Sequence, residues 1–293
     1  MLVIGVFTAL MRAPEGGAGA RDGHHGDRHG DRGETPGTDA GAGIADGRSA
    51  GASAAAGNGQ PPVPGAAAPE NGARAAGANA DPFARDLVLR YAFDERSGTD
   101  VHDAGPRGLH AVMNGTWTHG RTTGALELSG EGQYVSLPDA LFTGLTQLTI
   151  ATWVEIGPGT IPVFARIFDF GSAMRINMYL TPLDNAGQLR FATTRDGTDG
   201  EQRTTAPALA TGAWVHLVVT LGDQVATVYV DGREVGASVA NVLRPLDIEP
   251  TTHNWLGRSQ YGFDPFMHIR FDDFRIYARA LKAHEVAALM RLP

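Results

Sequence analysis

Cysteine is absent from all 293 residues, which excludes a disulfide framework, cysteine-ligated zinc or iron–sulfur sites and thiol catalysis. Long apolar runs are missing too. Met1–Met11 (MLVIGVFTALM) is roughly half of the ~20 residues that a membrane helix needs. Positive charge is scarce: 24 Lys plus Arg stand against 32 acids, for a net charge of -8. Without a basic stripe the chain lacks the electrostatic footprint for phosphate backbones, which argues against a nucleic-acid partner. Aromatic residues are almost missing from the first part of the chain, where Phe7 and Phe83 are the only two before Leu87.

What is present divides the chain in three. Residues 1–11 have the length of a signal-peptide core and are followed by the small-residue pattern Ala18-Gly19-Ala20, although no basic segment precedes them. An exported, extracytoplasmic protein is the expectation, with a chance apolar start as the alternative. Residues 12–86 hold 20 Ala, 17 Gly and 7 Pro against Ile44, Val63 and Phe83 as the larger apolar residues. Such a stretch cannot bury enough surface to offset its ordering entropy, so it reads as a disordered linker. Its histidines His24, His25 and His29, with Asp27 and Asp31, have metal-binding chemistry but nothing to hold a geometry. Residues 87–293 carry the other 20 aromatics and form the expected single domain.

From Leu87 onward the apolar period is two. Leu87, Leu89, Tyr91 and Phe93 alternate with Val88, Arg90 and Ala92, as a half-buried strand requires. The same pattern predicts strands near 108–113, 124–128, 133–137, 147–156, 163–170, 174–181, 188–194, 213–221, 224–230, 252–257 and 268–277, separated by Gly, Pro, Asn and Asp turn signals. Asp231-Gly232 supplies the positive-φ pair of a type I′ hairpin. Only Ala280–Leu292 has helical spacing, with Leu281, Val286, Leu289 and Met290 on one face. The fold class is therefore all-β: an antiparallel jelly-roll sandwich with a short C-terminal helix.

Nine segments fall in a characteristic order. They are Tyr91-Ala-Phe-Asp-Glu95, Gly124-Ala-Leu-Glu-Leu128, Tyr134-Val-Ser-Leu-Pro138, Leu148-Thr-Ile-Ala-Thr-Trp-Val154, Arg166-Ile-Phe-Asp-Phe-Gly171, Trp214-Val-His-Leu-Val-Val-Thr220, Val228-Tyr-Val-Asp-Gly232, Asn254-Trp-Leu-Gly-Arg-Ser-Gln-Tyr261 and Phe271-Asp-Asp-Phe-Arg-Ile-Tyr277. Over about 200 residues the domain resembles the laminin-G-like, concanavalin A-like lectin/glucanase modules. Its subtype resembles the accessory domains of bacterial glycoside hydrolases that act on arabinose-containing polysaccharides. The resemblance implies a non-catalytic carbohydrate-binding module, with a plant cell-wall type glycan as the partner. Two departures stand out: no catalytic domain is recognisable beside it, and Met267-His268-Ile269-Arg270 replaces the polar turn usual before the last strand.

Catalytic signatures are missing. Glycosidases of this superfamily carry Glu-x-Asp-x-x-Glu on one strand, and no such run occurs. Glu127 and Glu131 straddle a turn, and Asp196, Asp199 and Glu201 sit in a Gly-rich segment where fixed carboxylates are hard to hold. His216 has the chemistry of a general base, but a strand histidine between Val215 and Leu217 reads more simply as structural. A glycosidase with an unrecognised carboxylate pair stays open as an alternative, as does an adhesion or protein-interaction module on a flexible tether.

Asp94, Glu95, Asp100 and Asp103 cluster around Ser97-Gly98-Thr99, and hard oxygen donors on a loop suit calcium. In modules of the resembled family the first and last strands lie together and often hold a structural calcium. Carried over, that gives Asp94 and Asp272 as first ligands and Asp103 as third. The competing reading is neutralisation by Arg96, Arg107 and Arg275. For carbohydrate, aromatic faces and planar polar groups are needed. The richest run is Asn254–Phe266, which offers Arg258, Tyr261 and Phe266, with Trp117 as a second platform. Trp255 is a further carbohydrate candidate in the same run, but it alternates with Leu256, so one of them points inward, and a core anchor is the competing and commoner reading for a strand tryptophan. Trp153 and Trp214 lie in dense apolar strands and are expected in the core, and Arg166 is expected to pair with Asp169.

Overall fold

Period-two alternation is realised as strands through the described residues. The structure, a computed structural model, describes residues 81–238 and 241–292, all within one of the two units into which the chain divides, Pro69–Pro293. The readings on residues 1–11, on the histidine-rich stretch and on the linker as far as residue 80 lie outside the described residues.

Sixteen strands form among the described residues: β1 (Leu87–Tyr91), β2 (Asp100–Val101), β3 (Ala111–Met113), β4 (Thr116–His119), β5 (Gly124–Ser129), β6 (Val135–Leu137), β7 (Leu148–Ile156), β8 (Phe168–Ala173), β9 (Ile176–Thr181), β10 (Gln188–Thr194), β11 (Gln202–Pro207), β12 (Trp214–Gly222), β13 (Val225–Val230), β14 (Arg233–Ser238), β15 (His253–Leu256) and β16 (His268–Tyr277). All pair antiparallel in two sheets. The first runs β14-β13-β12-β7-β16-β5-β4, with β1 also on β16, and the second runs β11-β10-β9-β8-β15-β6-β3-β2.

The inner faces supply the core. In the first sheet Leu148, Ile150, Val154 and Ile156 face it from β7, and Phe271, Phe274 and Ile276 from β16. In the second, Phe168, Phe170, Met178, Leu180 and Phe191 do the same, with Phe168 and Phe170 stacked at 5.0 Å. A bulge in β16 shifts its register on β7 between Asp272 and Arg275, with Asp273 at φ 53. The inserted residue lets Phe271 and Phe274 both face inward while Asp272 and Arg275 both face outward.

The hairpin at Asp231-Gly232 forms as the sequence indicates, both residues having positive φ. The helix α1 (Ala283–Leu289) is shorter than the periodic stretch; with Leu281, its Val286 and Leu289 cover Ala151, Val218, Tyr229 and Tyr277 on the outer face of the first sheet. Residues 81–86, which composition assigns to the linker, are folded onto this face. Phe83 meets Tyr277 edge-on at 6.4 Å, and the Asp81 carboxylate accepts from Tyr277 Oη at 2.7 Å. Strand β8 starts at Phe168 rather than near 163, because Phe164 sits in the left-handed region at φ 63 and ends the extended run.

Candidate functional site

The outer face of the second sheet gathers aromatic rings and guanidinium groups into one strip. Its anchor is β15. Asn254 points inward, donating to Pro138 O at 2.7 Å and to Thr251 Oγ1 at 3.1 Å, and Leu256 is fully buried. Alternation then sends His253 and Trp255 outward, so of the two readings of Trp255 the surface position holds and the core anchor does not. The two rings stack at 4.9 Å and 16°. Arg258 lies 4.2 Å over Trp255 and 4.6 Å over Tyr134, and Tyr134 meets Trp255 edge-on at 6.2 Å. Such cation–π pairs hold a long side chain flat and leave its donors available.

Two strands further on the strip opens into a cavity of about 150 Å³. Its walls are Phe164, Tyr179, Tyr261 and Phe263, and Phe263 is 81% exposed. Its polar lining comes from Arg166, Arg190 and Arg203 with Glu201 and Asp264. Arg166, almost fully buried, stands 4.0 Å over the Tyr179 ring and pairs with Asp169 at 3.2 Å and Asp264 at 2.9 Å. The expected Arg166–Asp169 pair is thus present. Burial pushes the Asp169 carboxyl up to about 6, against the pull of Arg166 and of the Gln260 N–H. Glu201, in the segment that composition left as a loose loop, is instead held fast. It accepts from Tyr179 Oη at 2.7 Å, Arg203 Nε at 2.8 Å and Arg190 Nη1 at 3.4 Å. Burial and the Glu201 charge raise the Tyr179 hydroxyl above its ordinary range. Tyr179 is the signal sequence reasoning missed: it alternates with the core residues Met178 and Leu180, so it had to face outward.

Of the other residues expected here, Tyr261 lies in the cavity wall and donates to Met174 O at 3.0 Å. Phe266 does not line it; Phe263, three residues earlier, does. Trp117 belongs to β4 of the first sheet, packs partly against the core, and donates from Nε1 to Gly98 O at 2.9 Å. It lines a separate open groove with Asp94, Glu95 and His119. Trp153 and Trp214, expected in the core, are half-buried on the outer face of the first sheet: Arg121 lies 4.4 Å over Trp153 and Arg270 5.5 Å over Trp214. Alternation in β7 gives the inward positions to Ile150 and Val154, leaving Trp153 outside.

The acidic candidates separate. Asp94 Oδ1 accepts from Gly124 N at 2.8 Å and Asp272 Oδ2 from Arg121 N at 2.9 Å, so one turn ties both. The turn needs glycine: a Cβ at Gly120 would stand 2.0 Å from Gly124 O and 2.7 Å from Asp272 Oδ2. Burial, with the charges of Asp273 and Asp94, pushes the Asp272 carboxyl up to about 6. Asp103 is committed elsewhere, to the N–H groups of Arg90, Gly105 and Leu109 at 2.7–2.8 Å. Among the described residues no three Asp, Glu or His side chains gather as a metal cluster. Arg275 neutralises Asp273 and Asp81, at 2.7 and 3.0 Å, rather than Asp272.

His216 is buried 5.0 Å from the Trp153 ring, and its Nδ1 has no partner. Burial is the main cause that lowers its pKa from 6.5 to about 4, with Asp273 opposing and Arg275 and Arg121 assisting. A histidine depressed in the folded state contributes stability that is present above pH 6.5 and lost as pH falls through about 4. His216→Phe is therefore expected to remove about 3 kcal/mol of acid sensitivity over that window. Urea titrations at pH 4 and pH 7 measure it, and an unchanged difference between the two would rule this origin out.

Residues 129–287, more than half of the chain, match the sequence pattern of the laminin-G-type family described as the concanavalin A-like lectin/glucanases superfamily. The chain belongs to that superfamily. A search of curated proteins gives no match to this lectin-like chain. Among solved structures it is similar to domain 4 of an extracellular GH43 arabinanase from Geobacillus stearothermophilus, determined with arabinotriose. Identity is 21%, the TM-score is 0.57, and the match covers 70% of this chain and 98% of that domain. It is also similar to Trypanosoma rangeli sialidase (19%, TM-score 0.55, 70% of this chain and 33% of that one) and to the botulinum neurotoxin serotype D/C binding domain (12%, TM-score 0.56, 71% and 52%). At these identities the likeness is one of fold. The lectin-like domain thus spans the whole of the arabinanase domain but only a third of the sialidase.

Proposed function

We propose that the domain is a non-catalytic carbohydrate-binding module of an exported protein, with a neutral glycan lying along the strip from Trp255 to the Tyr261–Phe263 cavity. The observation that carries this reading is the strip itself. The rings of His253, Trp255, Tyr261 and Phe263 and the Arg258 guanidinium reach the surface on one face, where the rings match apolar C–H patches of a sugar and the Arg258 donors match its hydroxyls. The arabinotriose bound to the similar arabinanase domain supports an arabinose-containing, plant-type glycan, and that enzyme's extracellular setting supports export.

Hydrolysis is not part of the proposal. A glycosidase needs one carboxyl as proton donor and a second as nucleophile or base. Here Glu201, Asp169 and Asp264 are each engaged by arginine. Titration of the full chain with arabino-oligosaccharides and a glycan panel tests both statements. Saturable binding with no release of reducing ends is expected. Trp255→Ala should weaken binding about tenfold, the equivalent of ~1.4 kcal/mol. Absence of binding across the panel, or wild-type affinity in Trp255→Ala, would overturn the reading.

One structural calcium is part of the proposal. Asp94 and Asp272 each accept one N–H of the 120–124 turn, through Asp94 Oδ1 and Asp272 Oδ2, and Asp272 is buried. Two carboxylates, supplemented by loop carbonyls and water, would make the hard oxygen donor set that calcium takes. Bound there, the ion would neutralise the Asp94–Asp272 repulsion and tie the turn to β16. Its role in the proposal is structural.

A further inference from the structure

The cavity at the end of the strip has features that a flat sugar platform does not need. It is walled on two sides. The turn at Gly197–Gly200 places Thr198 on one side, and the loop after β15 places Tyr261, Phe263 and Asp264 on the other. That loop is fixed from within: Ser259 Oγ donates to Asp264 Oδ2 at 2.7 Å, and Gln260 N to Asp169 Oδ2 at 3.0 Å. Phe164 is held in left-handed backbone, a conformation that costs energy for a bulky residue, with its carbonyl accepting from Arg166.

Size and charge then limit the occupant. A volume of about 150 Å³ is half the smallest pocket typical of a drug-sized ligand, ~300 Å³, and suits a single sugar ring. Three guanidinium groups (Arg166, Arg190, Arg203) face four carboxylates (Asp169, Asp264, Asp184, Glu201), and each guanidinium is already paired. No cation is left over to draw in an acidic sugar. Position supplies the last element. Trp255 on β15 pairs with Asp169 on β8, which pairs with Tyr179 on β9, so the anchor and the cavity floor are two strand spacings apart, about 10 Å. Beyond the cavity the sheet stops at its edge strand, β11.

We propose that this cavity is a terminal subsite: it encloses the last, neutral sugar unit of a glycan whose following units run across the sheet toward Trp255, so the domain binds chain ends rather than chain interiors. The inference rests on the carbohydrate reading above and deepens it. The test is calorimetric titration of the full chain with four probes: arabinotriose, arabinotriose O-methylated on its non-reducing unit, arabinotriose carrying a bulky aglycone at its reducing end, and trigalacturonic acid. One of the two capped sugars, and only one, should bind at least about tenfold more weakly than arabinotriose. Trigalacturonic acid should not bind, and Phe263→Ala, which removes an exposed ring, should weaken arabinotriose to the same degree as the harmful cap. Equal affinity for both capped sugars, with Phe263→Ala unaffected and Trp255→Ala impaired, would overturn the terminal subsite and leave the carbohydrate reading standing. No binding of arabinotriose by the wild-type chain would instead remove that reading, and the subsite with it.

Discussion

Arg166→Met is expected to destabilise the domain by about 3–5 kcal/mol, the cost of leaving buried carboxylates without their cation. Arg166 and Asp169 are both almost wholly buried, and Asp264 closes the same network from the loop after β15. Asp169 Oδ1 already lacks a partner, so the carboxylate depends on Arg166 and on the Gln260 N–H. The methionine fills a similar apolar volume beside Tyr179 and removes the guanidinium's charge together with its hydrogen bonds to Asp169 and Phe164 O. The triple variant Arg166→Met, Asp169→Asn, Asp264→Asn should recover most of the loss, because neutralising an entire buried network costs far less than breaking it. Urea unfolding of the three proteins decides the matter. A loss below about 1 kcal/mol in the single variant would mean that the network contributes little.

Calcium is expected to act from the opposite side of the sandwich. At a free concentration of 1,000 times its Kd it should stabilise the chain by about 4 kcal/mol, and EDTA should reverse this. Asp272→Asn should abolish the response. The same variant should be more stable than the wild type in EDTA, because the native carboxylate is buried and faces the charges of Asp94 and Asp273. Asparagine keeps an acceptor for the Arg121 N–H and carries no charge to desolvate. Thermal melts with calcium and with EDTA separate the outcomes: a melting temperature indifferent to calcium, or a destabilised Asp272→Asn in EDTA, contradicts a metal at this turn.

The alternation that predicts a strand does not say which phase faces the core, and the tryptophans show it. Trp153, Trp214 and Trp255 all sit in apolar strands, yet each lies on an outer face, screened by Arg121, Arg270 and Arg258 respectively. Their neighbours Val154, Val215 and Leu256 take the interior, and nothing local in the sequence distinguishes an arginine-covered face from a buried one. The strands missed, β2, β4 and β11, have a different origin, their place at the ends of the sheets. β4 (Thr116–His119) and β11 (Gln202–Pro207) end their sheets, so one neighbour suffices and few large apolar residues are required. The candidate site was legible where it rests on one segment, as with Trp255, Arg258 and Tyr261. It was illegible across β8, β9, β10 and β11, because Arg166 just before β8, Tyr179 on β9 and Glu201 just before β11 become neighbours only through the pairing of the strands.

The pairing of β1 with β16, Leu87 opposite Tyr277, has a kinetic consequence. Strand β16 also sits between β7 and β5 and carries Phe271, Phe274 and Ile276 into the core, so the middle of the first sheet is the last strand to be synthesised. A nascent chain that has not yet reached residue 277 has two half-sheets with no strand to join them. Closing such distant contacts is slow, and the native first sheet cannot form before residue 277 is available. Until then the half-sheets expose unpaired strand edges, and the domain acquires its fold only once its final strand is delivered.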